Sequence, residues 1–161
     1  MTEPTLTELE EAVRRDPRNA DLRHLLAAHY AQAGQYESAS TEFREVLALQ
    51  PAAHVARFQL GLLELTMGRP AAAIDLWAPL EALPAGAALK WFKHGLEALI
   101  QDRFAQCADC LRQGIAANQG NLPLNDDMRL ILAKLPREKT GDTARDADVR
   151  TDFSLYGSAR H

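Results

Sequence analysis

Apolar positions recur at helical spacing along most of the chain. Between residues 5 and 16, Leu9, Ala12 and Val13 lie three and four apart and make one apolar stripe, and Thr5 with Glu8 reads as a capping box. Three longer windows begin at Ala20, His54 and Ala88, each 34 residues after the last. Their eighth places hold Ala27, Gly61 and Gly95, and their twentieth places hold Ala39, Ala73 and Cys107, all small. Their twenty-fourth places hold Phe43, Trp77 and Leu111, all large and apolar. The fifteenth places hold Gly34, Gly68 and Asp102. Pro51 closes the first window, and Pro17 lies 34 residues before it.

This pattern predicts a helix pair per window. Small residues at places eight and twenty let two helices cross closely, and the large residue at place twenty-four fills the space between neighbouring pairs. Glycine between the helices accepts the positive φ of a helix C-terminus. Proline ends the second helix. A last helix is expected over 125–135, with Asn125 as its cap and Asp126 and Asp127 in its first turn, before Pro136. Eight helices follow: one half repeat, three pairs and one cap. Pro79 falls inside the second helix of the second pair, so a kink or early stop is expected there, with an irregular link through Pro84, Ala85 and Gly86.

At these residues the chain resembles the tetratricopeptide repeat family. The first window matches best, through Leu26, Ala27, Tyr30, Gly34, Tyr36, Ala39, Phe43 and Pro51. The second keeps Leu60, Gly61, Gly68, Ala73 and Trp77 but has Glu64 where an aromatic is usual. The third keeps Gly95, Phe104 and Cys107 but has His94 for leucine and Asp102 for the turn glycine. The resemblance covers roughly residues 5–121. It implies an all-α fold: a right-handed α-solenoid of three helix–turn–helix repeats, near 20–53, 54–87 and 88–121, with an N-terminal half repeat and a C-terminal capping helix.

Composition agrees with the pattern. Alanine and leucine supply 28 and 24 of the 161 positions, valine and isoleucine 4 each. Strand-forming residues are too few for a sheet domain, and a chain of this length is expected to make one all-helical domain, over 1–136. The net charge of −4 supplies no basic field for nucleic acid or anionic lipid. No apolar run approaches the ~20 residues that span a bilayer. Met1 precedes Thr2, Glu3 and Pro4 rather than a basic stretch and an apolar core, which argues against a secretory leader in this sequence. Two cysteines make no disulfide framework, so a reduced cytoplasm is the expected setting.

The family resemblance implies that the first helix of each pair lines a concave groove for partner segments. By the family's pattern, places two, five, nine, twelve and thirteen face it. In the first window these are Asp21, His24, Ala28, Ala31 and Gln32. The second supplies Val55, Phe58, Leu62, Leu65 and Thr66, and the third Leu89, Phe92, Leu96, Leu99 and Ile100. Val55, Phe58, Leu62, Leu65, Leu89, Phe92, Leu96 and Leu99 are therefore the candidate partner-binding residues, with Phe58, Leu62, Phe92 and Leu96 as anchors. An exposed apolar patch of that size marks an interaction site. The other reading is that these side chains are core. Some family members clamp a terminal carboxylate with Lys, Asn and Arg at such places; those types are missing here, so the acidic tails of heat-shock chaperones are disfavoured. An apolar or amphipathic segment fits better.

Other chemistry is sparse. Cys107 and Cys110 form a lone CxxC, without a second pair or a thioredoxin-like strand, and Cys107 fills a place that needs a small residue. The five histidines show no metal-ligand spacing. No nucleophile elbow, phosphate loop or dinucleotide motif occurs, so no enzyme, cofactor or metal is expected.

Residues 137–161 change character: charges of both signs alternate, then Phe153, Leu155 and Tyr156 form an apolar island. The bland reading is a disordered end. The sharper reading is a short recognition motif that docks in this protein's groove or a neighbour's. The expected function is a protein–protein interaction module, an adaptor or assembly factor. Two alternatives stand beside it. Size, acidity and three repeats look like the class II chaperones of type III secretion, and self-association through the tail would make a structural unit.

Overall fold

The computed structural model describes residues 2–136. These are helical, with eight α-helices and no strand among the described residues. The chain divides into two compact units, the first ending at Leu76 and the second beginning at Trp77.

The first unit holds α1 (Leu6–Arg15), α2 (Ala20–Gln32), α3 (Tyr36–Leu49), α4 (His54–Thr66) and α5 (Pro70–Trp77) up to its penultimate residue. The capping box of α1 is formed: Glu8 N donates to Thr5 Oγ1 at 3.1 Å, and Thr5 N donates to Glu8 Oε1 at 2.9 Å. Leu9 and Val13 of α1 pack with Leu26 of α2. A larger core joins Ala27 and Ala31 of α2, Ala39, Phe43 and Val46 of α3, and Ala56, Leu60 and Leu63 of α4. The alanines set the close crossing, and the large side chains supply the apolar burial, ~1.5–3 kcal/mol each. Arg23 and Arg57 occupy the same register place, and each reaches back six residues, to the carbonyls of Pro17 at 2.8 Å and Pro51 at 3.3 Å.

The turn within each pair is built alike. Gln35, Arg69 and Arg103 each donate a backbone N–H to the carbonyl five residues earlier, at 2.9 Å. The preceding residue is left-handed each time: Gly34 at φ 80, Gly68 at φ 81 and Asp102 at φ 62. This is the Schellman closure of a helix C-terminus. Asp102 adopts it although only glycine does so without a Cβ penalty.

In the second unit Pro79 acts as expected. α5 stops at Trp77, and Ala78–Ala82 continue as a 3-10 helix with the proline in its first turn, where a missing N–H costs nothing. An irregular link follows, with Gly86 at φ 92, and leads to α6 (Ala88–Ile100), α7 (Phe104–Ala117) and α8 (Leu122–Lys134). α6 and α7 cross closely at Gly95, where an added Cβ would lie 2.8 Å from Leu111 Cδ2 and 3.2 Å from Cys110 Cβ.

The start of α8 corrects the expected cap. Asn121, not Asn125, caps the helix and accepts from Leu124 N at 3.2 Å. Pro123 suits the first turn of a helix that begins at Leu122. Asn125 is instead buried inside the helix and accepts from Asn118 Nδ2 at 2.9 Å, which ties the end of α7 to α8. Asp126 and Asp127 consequently lie beyond the first turn.

Candidate partner-binding surface

In the first unit, α4 presents Val55, Phe58, Leu62 and Leu65 at the face places. Val55 and Leu65 are half-buried, whereas Phe58 and Leu62 are 0% exposed. In the second unit, α6 presents Leu89, Phe92, Leu96 and Leu99. Leu89 is half-buried, Phe92 and Leu96 are 0% exposed, and Leu99 is buried. Phe92 lies against Gly114 of α7, where a Cβ would fall 2.4 Å from its ring. The expectation of an open apolar patch is therefore corrected. Phe58, Leu62, Phe92, Leu96 and Leu99 are shielded from water, and the exposed edge of each face is its half-buried residues. The tail motif Phe153, Leu155 and Tyr156 lies outside the described residues.

The first-window places are more polar. His24 Nε2 donates to Gln59 Oε1 at 2.6 Å, and its ring meets Phe43 edge-on with centroids 5.6 Å apart. Ala31 is buried in the α2–α4 core, while Asp21 and Gln32 are exposed.

Two charged clusters were not singled out by sequence. In the first, Glu64 stands where the family has an aromatic, and its carboxylate is 3% exposed. Arg44 Nη2 donates to it at 3.0 Å and Arg69 Nε at 2.7 Å; Arg69 Nη2 also reaches Glu37 at 3.2 Å. One buried carboxylate thereby ties together α3, α4 and the entry to α5. In the second unit, Glu81 receives His94 Nε2 at 2.8 Å and Lys93 Nζ at 2.9 Å on the same oxygen. Those two hydrogen bonds, His94 first, hold the Glu81 carboxyl down at about 2. Lys93 also pairs with Glu97 at 3.0 Å, while Lys90 Nζ donates to the Leu83 carbonyl at 3.1 Å. These contacts fasten the 3-10 segment and its link onto α6. The signal for either cluster is weak in sequence, since its members come from separate elements.

Cys107 and Cys110 are both buried free thiols. Burial, with the neighbouring Cys110, pushes the Cys107 thiol up to about 12, so its thiolate is scarce at neutral pH. No cluster of three or more His, Cys, Asp or Glu side chains able to hold a metal occurs among the described residues. No helix of the described residues is long and apolar enough to cross a membrane.

α7 and α8 leave a groove of about 450 Å³ between them, lined by Phe104, Ala105, Ala108, Asp109 and Arg112 on one side and Leu132, Ala133, Leu135 and Pro136 on the other. Sequence reasoning did not find it, because it arises from how two helices diverge. α8 also exposes Leu122 by 63% and Leu130 by 46%.

The family model of the tetratricopeptide repeat matches residues 5–60. Residues 5–60 carry tetratricopeptide repeat sequence. This agrees with the 34-residue register and the repeated turn closures. Among solved structures, that of MamA is similar at a TM-score of 0.56 and 18% identity, covering 80% of this chain and 82% of that one. The likeness concerns the all-helical repeat fold. No curated protein matches the chain by sequence.

Proposed function

We propose that this protein binds apolar or amphipathic segments of a partner protein against the first helices of its repeats, on α4 in the first unit and, separately, on α6 in the second. At the general level it is a protein-interaction module, as tetratricopeptide repeat proteins are. The observation that carries the finer reading is the apolar edge on both helices. Val55 and Leu65 on α4, and Leu89 on α6, are half-buried at the family's partner-facing places, whereas α2 offers Asp21, His24 and Gln32 there. Apolar side chains in helical register suit a segment that lays down its own apolar anchors.

The shielding of Phe58 and Phe92 changes how this is tested. A charge at either position would be buried and would unfold the protein, which says nothing about binding. Val55→Asp, Leu65→Asp and Leu89→Asp keep the charge at the edge. Each should lower partner affinity at least tenfold while the far-ultraviolet dichroism and unfolding midpoint stay close to wild type. Unchanged affinity in all three variants would remove α4 and α6 from the binding account. An adaptor, an assembly factor and a chaperone for a secreted apolar segment would all use such a surface.

A further inference from the structure

The groove between α7 and α8 sits at a defined place in the repeat register. Phe104, Ala105, Ala108 and Arg112 lie 68 residues after Tyr36, Glu37, Ser40 and Arg44 of α3, and Leu132 and Leu135 lie 68 after Glu64 of α4 and Met67 at its C-cap. At that earlier junction, in the first unit, the gap is closed. Arg69, the residue before α5, bridges Glu37, Glu64 and Met67, and Leu76 of α5 packs on the core beneath. The α7–α8 groove is thus the place where the second helix of a fourth pair belongs.

The following segment does not have the composition of that helix. Its register place for the large apolar residue, filled earlier by Phe43, Trp77 and Leu111, is Arg145. Residues 137–148 hold no large apolar side chain at all. The first large apolar cluster is Phe153, Leu155 and Tyr156.

We propose that residues 152–156 of the same chain dock in the α7–α8 groove and take the place of the missing helix. Three observations support this occupant. The segment starts at the groove itself, since Pro136 lines it. The α7 wall runs from Phe104 to Arg112, ~12 Å at helical rise, and four residues in extended form cover ~13 Å. The connection 137–152 is long enough to return, since sixteen residues reach ~20–24 Å even as a random coil. Charge fits as well. Arg112 and Asp109 both line the groove and pair at 3.8 Å, yet Arg112 keeps 67% of its side chain exposed for a second carboxylate, and Asp152 immediately precedes Phe153. A tethered segment also acts at a high effective concentration, so a short apolar contact suffices. This docking surface is built from other residues than the α4 and α6 faces, and its failure leaves the binding proposal untouched.

The test is ¹⁵N backbone relaxation on the full chain, with Ala105→Glu as the groove-filling variant and Arg112→Glu as a second. Ala105 is exposed on α7, so the substitution fits the helix and puts a side chain into the groove. The expected result is a heteronuclear NOE for residues 153–156 well above that of residues 139–147 in wild type, falling to the same low value in both variants. Deleting residues 150–161 should speed amide exchange at least fivefold in 104–112 and 132–135. A low NOE at 153–156 in wild type overturns the proposal. Ordered residues 153–156 that ignore both variants overturn it too, because the segment then docks elsewhere. Order that disappears on dilution also contradicts it and assigns the groove to the segment of a second copy.

Discussion

Glu64 shows how one residue departs from its family and is compensated. An aromatic there would fill space; a carboxylate at 3% exposure needs charge partners, and Arg44 and Arg69 supply them. Both arginines are about half exposed, so they can rehydrate when the carboxylate is removed. Glu64→Gln should therefore destabilise the fold by about 1–3 kcal/mol, measured by chemical denaturation. A midpoint equal to wild type would show that the network contributes nothing. Asp127 behaves in the opposite sense. Burial, reinforced by Asp126, raises its carboxyl from 3.8 to about 6. The folded state holds this proton more tightly than the unfolded state does. The resulting stability is present below about pH 4 and is lost as pH rises through about 6. Asp127→Asn should raise the unfolding midpoint near pH 7.5, by order 1–2 kcal/mol after allowance for solvent, and should leave it nearly unchanged near pH 4. Glu81, held down at about 2, begins to lose its contribution below about pH 4.5, but equally in both proteins, so the comparison at each pH stands. An Asp127→Asn variant no more stable than wild type near pH 7.5 would contradict the assignment.

Helices were legible where their determinants are local. The capping box at Thr5 and Glu8, the stop at Pro79 and the turns at Gly34 and Gly68 each depend on a few neighbouring residues, and each stands as expected. The start of α8 was misplaced because several asparagines compete. Asn118, Asn121 and Asn125 all lie close, and the choice follows from Pro123 and from which amide the packing buries. The small residue at place eight is a local signal with a non-local cause. In α6, alanine is the better helix former than glycine by ~0.5–1 kcal/mol. Yet a Cβ on Gly95 would stand 2.8 Å from Leu111 Cδ2 and 3.2 Å from Cys110 Cβ, and the second atom is fixed to the α7 backbone. Gly95→Ala should therefore lower stability by about 1–3 kcal/mol, read from thermal or denaturant unfolding. A stabilised variant would show that α6 and α7 have room to separate.

At the scale of the whole chain, the 34-residue register encodes which residues must be small, large or turned, so the repeat architecture could be read directly. The division into compact units at Leu76 and Trp77 was not in that register; it falls where Pro79 shortens α5. The register also does not encode how far a helix face is covered. Phe58 and Phe92 have the chemistry of anchors but are shielded, and among the candidate residues Val55, Leu65 and Leu89, together with Ile100, leave an accessible edge. The groove beside α8 was equally invisible, because it arises from how α7 and α8 are placed rather than from any one residue.

The central claim is that α4 and α6 each carry a partner contact of this helical repeat protein. Quantitative affinity capture from cell extract tests it most directly, with wild type, a Leu65→Asp/Leu89→Asp double variant and Ala105→Glu as baits. The account predicts a protein held by wild type and by Ala105→Glu but lost to the double variant, with all three baits equally helical. A partner captured equally by the double variant would contradict it.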